Sequence, residues 1–297
     1  MGPVPPYIIE KDIYHTNFYS YAYLHSPKNL TWILGGSGDL LEGAIVDKNQ
    51  FNPKFGILWN PYPATTLRAS IFRTLQRTLL SSQTLEPTQV AGFNQFFHDA
   101  EGTESLRYGV AVDQKFSKNL YGGLELSRRN MEVPFEYSPP PDYTLEIHEA
   151  DWKTKLLRTY LYWAPKNWMA LSADYQYETF EKNSDPVGGG SFTRLETHRL
   201  PLGVSFFHPA GFIARMKTTY VFQNGQFTDL FSNIVPGDDH FWVVDAGIGY
   251  RLPRRTGMVT LEAKNFFDKK FTFEDTDPAN PDYFPERTII MKFTLSF

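Results

Sequence analysis

The closing stretch of the chain, Arg287-Thr-Ile-Ile-Met-Lys-Phe-Thr-Leu-Ser-Phe297, constrains its fold more than any other. Counting back from the end, Phe297, Leu295, Phe293, Met291 and Ile289 are apolar, with Ser296, Thr294 and Lys292 between them. Side chains alternate across a strand with period 2, so one face of this segment is apolar and the other mostly polar. A soluble domain seldom ends on a bare apolar strand face. The last strand of a bacterial outer-membrane β-barrel does, because that face touches lipid.

Composition permits this reading. The chain has 297 residues, with 25 Phe, 17 Tyr and 6 Trp and with 21 each of Gly and Pro. Mean hydropathy is only −0.38. No apolar run approaches the ~18 residues of a helical membrane span. A transmembrane barrel tolerates low hydropathy because only alternate residues meet lipid. A soluble aromatic-rich all-β protein shares the same composition. Cysteine is absent, which removes disulfides and thiolate metal sites. The net charge of −4 leaves no basic field to displace counterions from phosphates, so a nucleic-acid partner is not expected. Met1-Gly2-Pro3 opens no charged n-region and apolar h-region, so no signal peptide is read.

Strand-like stretches run near 14–25, 30–39, 51–59, 65–78, 104–116, 120–133, 150–163, 168–181, 198–207, 212–228, 240–252, 258–273 and 287–297. Their connections alternate between two classes. Short turns rich in Pro, Asn and Gly lie at 26–29, 60–64, 116–119, 164–167, 208–211 and 252–257. Long loops lie at 40–50, 79–103, 134–149, 182–197, 229–239 and 274–286. Short turns at one end and long loops at the other is the arrangement of outer-membrane barrels. The expected fold is all-β: an antiparallel, meandering transmembrane barrel of about thirteen strands.

Several strands show two faces. Phe212, Ala214, Met216, Tyr220 and Phe222 oppose Arg215, Lys217 and Thr219. Trp242, Val244, Ala246, Ile248, Tyr250 and Leu252 oppose Asp245, Gly247, Gly249 and Arg251. Met169, Leu171, Ala173, Tyr175 and Tyr177 oppose Ser172, Asp174, Gln176 and Glu178. Stretches 14–25 and 65–78 alternate poorly, because Arg73 breaks the pattern set by Leu67, Ala69 and Ile71. The alternation sends Glu125, Arg129, Asp174, Glu178, Arg215, Lys217, Asp245, Arg251, Glu262 and Lys264 inward. On the lipid face an Arg or Lys would cost about 2–4 kcal/mol at the midplane. Inside, such charges pair across strands or line a wet cavity.

Residues 241–297 resemble the C-terminal end of TonB-dependent outer-membrane receptors. The stretches that carry this are Val244-Asp-Ala-Gly-Ile-Gly-Tyr-Arg251, Ala263-Lys-Asn-Phe-Phe-Asp-Lys-Lys-Phe271 and the closing strand to Phe297. The middle one is similar to the family's N-L-F-D-K-x-Y run, with Phe266 in place of Leu and Phe271 in place of Tyr. Asn52-Pro-Lys-Phe-Gly-Ile-Leu-Trp-Asn-Pro61 with Thr66-Leu-Arg-Ala69 is similar to a family hairpin, and Leu85-Glu-Pro87 to its L-x-P-E loop segment. The resemblance implies a plugged barrel of 22 strands that imports a metal chelate or other bulky nutrient, with TonB driving an N-terminal plug. No plug-like segment or TonB-box-like start is visible here, so TonB is a partner only through an upstream plug. The expectation is a single barrel domain over 1–297, the C-terminal part of a longer receptor, incomplete and open at its first strand. A barrel that anchors a periplasmic domain and a small closed porin, with residues 4–12 pairing with 287–297, are the alternatives.

No catalytic or cofactor site emerges, and an enzyme is not expected. The seven His residues pair at no metal-ligand spacing, and neither H-E-x-x-H nor G-x-S-x-G occurs. Asp275, Asp277 and Asp282 form a solvated acidic loop without the spacing of a calcium loop. Gly188–Gly190 lacks the helix and Lys of a phosphate cradle. The expected partners are outer-membrane lipid and the barrel-assembly machinery, the latter through a terminal signal of Phe293, Leu295 and Phe297.

Overall fold

The computed structural model describes residues 12–43, 46–77, 85–95, 99–138, 144–183, 192–228, 233–276 and 283–295. Its elements are β1 (Tyr14–His25), β2 (Leu30–Glu42), β3 (Lys48–Tyr62), β4 (Thr65–Leu75), β5 (Gln89–Val90), β6 (Phe93–Asn94), β7 (Glu104–Lys115), β8 (Leu120–Tyr137), β9 (Glu146–Lys166), β10 (Met169–Lys182), β11 (Phe192–Phe207), β12 (Phe212–Thr228), β13 (Ile234–Arg251), β14 (Gly257–Lys264) and β15 (Thr288–Leu295). A single 3-10 turn, Pro253–Arg255, is the only helical element among the described residues. All strands but β5 and β6 form one 13-stranded sheet in chain order, and every neighbouring pair is antiparallel. The sheet is open: β1 and β15 are its ends and do not pair with each other. Residues 4–11, Ser296 and Phe297, on which the closed alternative rests, lie outside the described residues.

The short turns sit at one rim. Leu30 N–H donates to Pro27 C=O at 2.9 Å and Gly211 N–H to His208 C=O at 2.9 Å. At the other rim the strands run further than their sequence pattern suggests. The long loop at 134–149 shrinks to 138–145 because β8 and β9 extend to Tyr137 and from Glu146. At ~3.3 Å per residue, the 21 residues of β9 reach well past an apolar band about 25 Å tall. The penultimate strand is shorter than the stretch 258–273: β14 ends at Lys264. Asn265 and Asp268 take φ of 46° and 54°, a left-handed conformation that ends the ladder.

Register divides every strand between two faces. The rows Phe212–Tyr250, Ala214–Ile248, Met216–Ala246 and Tyr220–Trp242 form one face across β12 and β13. Ile248–Leu261–Met291 and Tyr250–Val259–Phe293 carry it to the edge. Its large apolar side chains are exposed: Phe212 59%, Ile248 64%, Phe293 65%. Near the short-turn rim this outer face carries Trp59, Trp163, Phe206 and Phe212, all exposed. That is the girdle position of a membrane barrel. The opposite, inner face carries the buried polar residues, including Asn52, Lys54, Arg107, Arg129 and Asp174.

The two strands that alternate poorly in sequence have a physical explanation. In β4, Phe72 points inward and is 1% exposed, beneath residues 85–95. Arg73 points outward and pairs with Glu104. In β1, Tyr21 also turns inward against the same cluster.

The face assignment predicts a sharp asymmetry. Met216→Arg, on the outer face between Val204 and Ala246, should cost about 2–4 kcal/mol in lipid vesicles. Thr260→Glu, on the inner face beside Lys292, should leave the urea midpoint near its original value. Urea titrations in vesicles measure both.

Candidate functional site

The inner face is built from three kinds of surface: a buried loop, a ladder of paired charges and an open charged patch.

The loop follows β4. Gln76 and Arg77 leave the rim, and residues 85–95 return along the inner face as the β5–β6 hairpin. Ala91 and Gly92 form its turn, with φ of 49° and 85°. Val90, Ala91 and Phe93 pack on Ile33, Phe72 and Ala111. Two glycines leave room for this approach. A Cβ on Gly109 would stand 2.5 Å from the Phe93 ring, and one on Gly56 3.0 Å from both Val90 and Ala91. The Arg68 and Arg107 guanidinium groups lie over the Phe93 ring at 5.2 and 5.8 Å. Arg68 Nη1 donates to Ala91 C=O at 3.2 Å. Arg68 is near the start of β4, so the hairpin reaches most of the way to the short-turn rim.

Glu86 fixes the loop at its base. Its carboxylate pairs with Lys54 and, at 2.5 Å, with Arg77, and accepts from the Tyr21 hydroxyl at 2.8 Å. Glu86 and Lys54 side chains are each 1% exposed. Arg77 is also 3.7 Å from Asp39, which accepts from Asn52 at 2.7 Å and Asn17 at 2.8 Å and lies 3.0 Å from His15.

The ladder holds four of the sequence-predicted residues. Glu125 lies 3.7 Å from Arg68 and 3.5 Å from Arg107. Arg129 forms a bidentate pair with Asp99 at 2.6 and 3.0 Å. Asp174 accepts from Arg158 at 2.5 and 2.8 Å, and Glu178 from Arg199 at 3.0 Å. These charges are committed to the wall.

The remaining six sit on β12–β14. Lys264 is 3.5 Å from Asp245 and 3.8 Å from Glu262. Arg215, Lys217 and Arg251 have no ion-pair partner among the described residues. Arg215, Lys217, Asp245, Glu262 and Lys264 line an open pocket of about 270 Å³ with Ser172 and Ser205. Arg251 lies apart at the short-turn rim, where its N–H donates to Gly211 C=O at 2.9 Å.

A second loop, after β14, packs on the inner face of β12 and β13 toward the long-loop rim. Phe271 stacks on Phe241 with ring centroids 4.3 Å apart, and Phe273 and Tyr283 join the contact. Asn265 anchors it: its amide donates to Lys269 C=O at 2.9 Å and Phe284 C=O at 3.1 Å, and its own N–H donates to Asp245 at 3.0 Å. The Arg287 backbone N–H beside Asp268 holds that carboxyl below the usual range. Burial pushes the Glu274 carboxyl up. Among the described residues no cluster of His, Asp and Glu fits a metal ion. Asp277, Asp282, Gly188–Gly190, His98 and Phe297 fall outside the described residues.

Lys54, Arg68, Arg77, Glu86 and Arg107 were not singled out by sequence periodicity. The signal available was indirect: the broken alternation of 65–78 marks Phe72 as inward, and Leu85-Glu-Pro87 marks the loop.

The site predicts its own test. Glu86→Ala removes the carboxylate between two buried cations and should destabilise the chain by about 3–5 kcal/mol. Protease cleavage within 85–95, scored against urea stability, should rise in step.

No family model and no curated protein sequence matches the chain. Solved structures do match it. The ferripyoverdine receptor of the Pseudomonas aeruginosa outer membrane aligns with a TM-score of 0.62 and 16% identity, over 97% of this chain and 39% of its own. The FrpB iron transporter from Neisseria meningitidis aligns with 0.65 and 14%, over 97% and 46%. The ferric-catecholate import receptor Fiu from Escherichia coli aligns with 0.60 and 14%, over 96% and 45%. The chain thus spans less than half the length of these proteins. Its fold is the β-barrel wall of TonB-dependent outer-membrane receptors, as its closing motifs imply.

Proposed function

We propose that the chain forms wall strands of a bacterial outer-membrane receptor that imports a bulky nutrient, a ferric chelate being the favoured class. The supporting observation is the alignment of nearly the whole chain with receptors and transporters of iron and its chelates. The inner wall fits that role, being polar and charged behind an apolar outer face. We read residues 1–297 as one barrel domain. Arg215, Lys217, Asp245, Glu262 and Lys264 face the solute path or a plug, and Glu125, Arg129, Asp174 and Glu178 brace the wall. Arg251 stands at the periplasmic rim. TonB would act through a plug, and the assembly machinery would read the strand bearing Phe293, Leu295 and Phe297. No catalytic role or cofactor is assigned.

Uptake measurements test this. In iron-limited cells, deleting the gene should lower accumulation of a labelled ferric chelate, and a protonophore should abolish the wild-type uptake. Uptake that is lost on deletion but indifferent to protonophore would point to a passive pore. Undiminished uptake in the deletion strain, for every chelate tried, would refute transport. Replacing Arg215 and Lys217 together by Ala should weaken capture of an anionic chelate by about a hundredfold or more, the worth of two charge-assisted contacts at ~1.5 kcal/mol each.

A further inference from the structure

The outer face is not uniformly apolar. Across β4, β7, β8, β9 and β10, the row Ala69–Val110–Leu126–Leu157–Tyr177 belongs to the apolar band. The next row toward the long loops reads Ile71–Tyr108–Arg128–Lys155–Thr179. The row after that reads Arg73–Leu106–Asn130–Lys153–Glu181.

Arg128 and Lys155 are therefore direct cross-strand neighbours, with Lys153 one row on. Like charges directly opposite repel, and such pairs destabilise a sheet. Compensation within the sheet is thin. Arg128 Nε donates to the neutral Asn130 amide oxygen at 3.0 Å. Lys155 is 3.7 Å from Glu181, with both side chains well exposed. Lys153 is exposed and has no ion-pair partner among the described residues. On β7–β9 these two rows contain no carboxylate. Acids return only in the third row, Glu104–Glu132–Asp151.

The cations crown a groove. Phe55, Ile71, Tyr108, Val110, Leu126 and Leu157 line it, and its volume is about 650 Å³. Ile71, Val110 and Leu126 are 48%, 55% and 43% exposed. The groove runs from the cations down into the apolar band. Arg128 stands eight positions along β8 from Leu120. That is about 27 Å of strand, or about 20 Å of height at the ~40° tilt of barrel strands, so Arg128 lies in the upper part of a band ~25 Å tall, within snorkelling reach of its boundary.

We propose that this outer face of β7–β9 binds a phosphate-bearing membrane lipid. An acyl chain lies in the groove, and the headgroup phosphate is shared by Arg128 and Lys155, with Lys153 beside them. The phosphate relieves the cross-strand repulsion, and the acidic third row keeps the headgroup from riding higher. The inference rests on reading the exposed apolar face as the lipid face.

The test uses the full chain in detergent, titrated with lipid A, with the same lipid stripped of phosphates, and with inorganic phosphate. Bound lipid is counted by native mass spectrometry. The chain should retain lipid A, and Arg128→Gln with Lys155→Gln should weaken that retention about thirtyfold. The dephosphorylated lipid should not distinguish the two proteins, and inorganic phosphate should not be retained. Lys28→Gln with Lys118→Gln, an equal charge change in the short turns, should retain lipid A as the unaltered chain does. Should the double variant lose its strand circular dichroism, Lys155→Gln alone should weaken retention about fivefold. Equal retention by the folded variant and the unaltered chain, or an equal loss in the short-turn control, overturns the proposal. A chain that enters no lipid vesicle refutes the membrane reading itself, which is a different failure.

Discussion

The backbone hydrogen bond governs this structure. In hydrocarbon no water is available for an unpaired N–H or C=O, and each one costs several kcal/mol. A strand can cross only if both its edges are paired. The chain meets this for eleven of its thirteen long strands by the simplest route, each strand pairing with the one before it and the one after. β1 and β15 each have one free edge in the described sheet, and the odd strand number makes them run in the same direction. Direct closure would put them in parallel register, unlike every other pair. Among the described residues neither of these two edges has a strand partner.

Once the backbone is fixed, period 2 sorts the side chains. The outer face is exposed and apolar, as the lipid-facing side of a membrane barrel wall is. The inner face is no conventional two-sheet core, since among the described residues only the short β5–β6 hairpin opposes it. The chain fills part of it with its own loops. Each loop uses aromatic packing together with a polar anchor. For residues 85–95 the anchor is Glu86 between Lys54 and Arg77, and for the loop after β14 it is Asn265. Desolvating a pair such as Lys54–Glu86 cancels much of its attraction, so its net stabilisation is small. Its directional value is larger, because a misplaced loop would leave a buried charge uncompensated.

The sheet is legible in the sequence because its governing signals are local. Period-2 runs and the Pro-, Asn- and Gly-bearing turns give the thirteen strands and the sorting of the rims. The ten charges read from the alternation share one face of the sheet, since register carries the parity of Asp245 or Asp174 to every neighbouring strand. What is hidden depends on contacts distant along the chain. Phe72 turns inward in β4 because a hairpin about twenty residues later covers it, which leaves Arg73 in the outward row of Leu67, Ala69 and Ile71. Strand ends at the long-loop rim run past their apolar patterns, since beyond the lipid band either face can be polar. The stretch after Lys264 keeps part of a strand-like alternation, with Phe267, Phe271 and Phe273 set against Asp268, Lys270 and Thr272. The positive φ of Asn265 overrides it.

Pairing also divides the inner charges into two groups. Glu125, Arg129, Asp174 and Glu178 each meet an opposite charge on a neighbouring strand or loop, and a paired charge has little field left for a solute. The hairpin covers the first half of the inner face, and the loop after β14 covers the long-loop half of β12 and β13. Among the described residues the short-turn half of β10–β14 is uncovered. There Arg215 and Lys217 have no ion-pair partner among the described residues, while Lys264 shares two carboxylates. Lys217 is the cross-strand neighbour of Asp245, and the pocket that holds Arg215, Lys217 and Lys264 also holds Glu262, so the patch mixes both signs with a small positive excess beside open space.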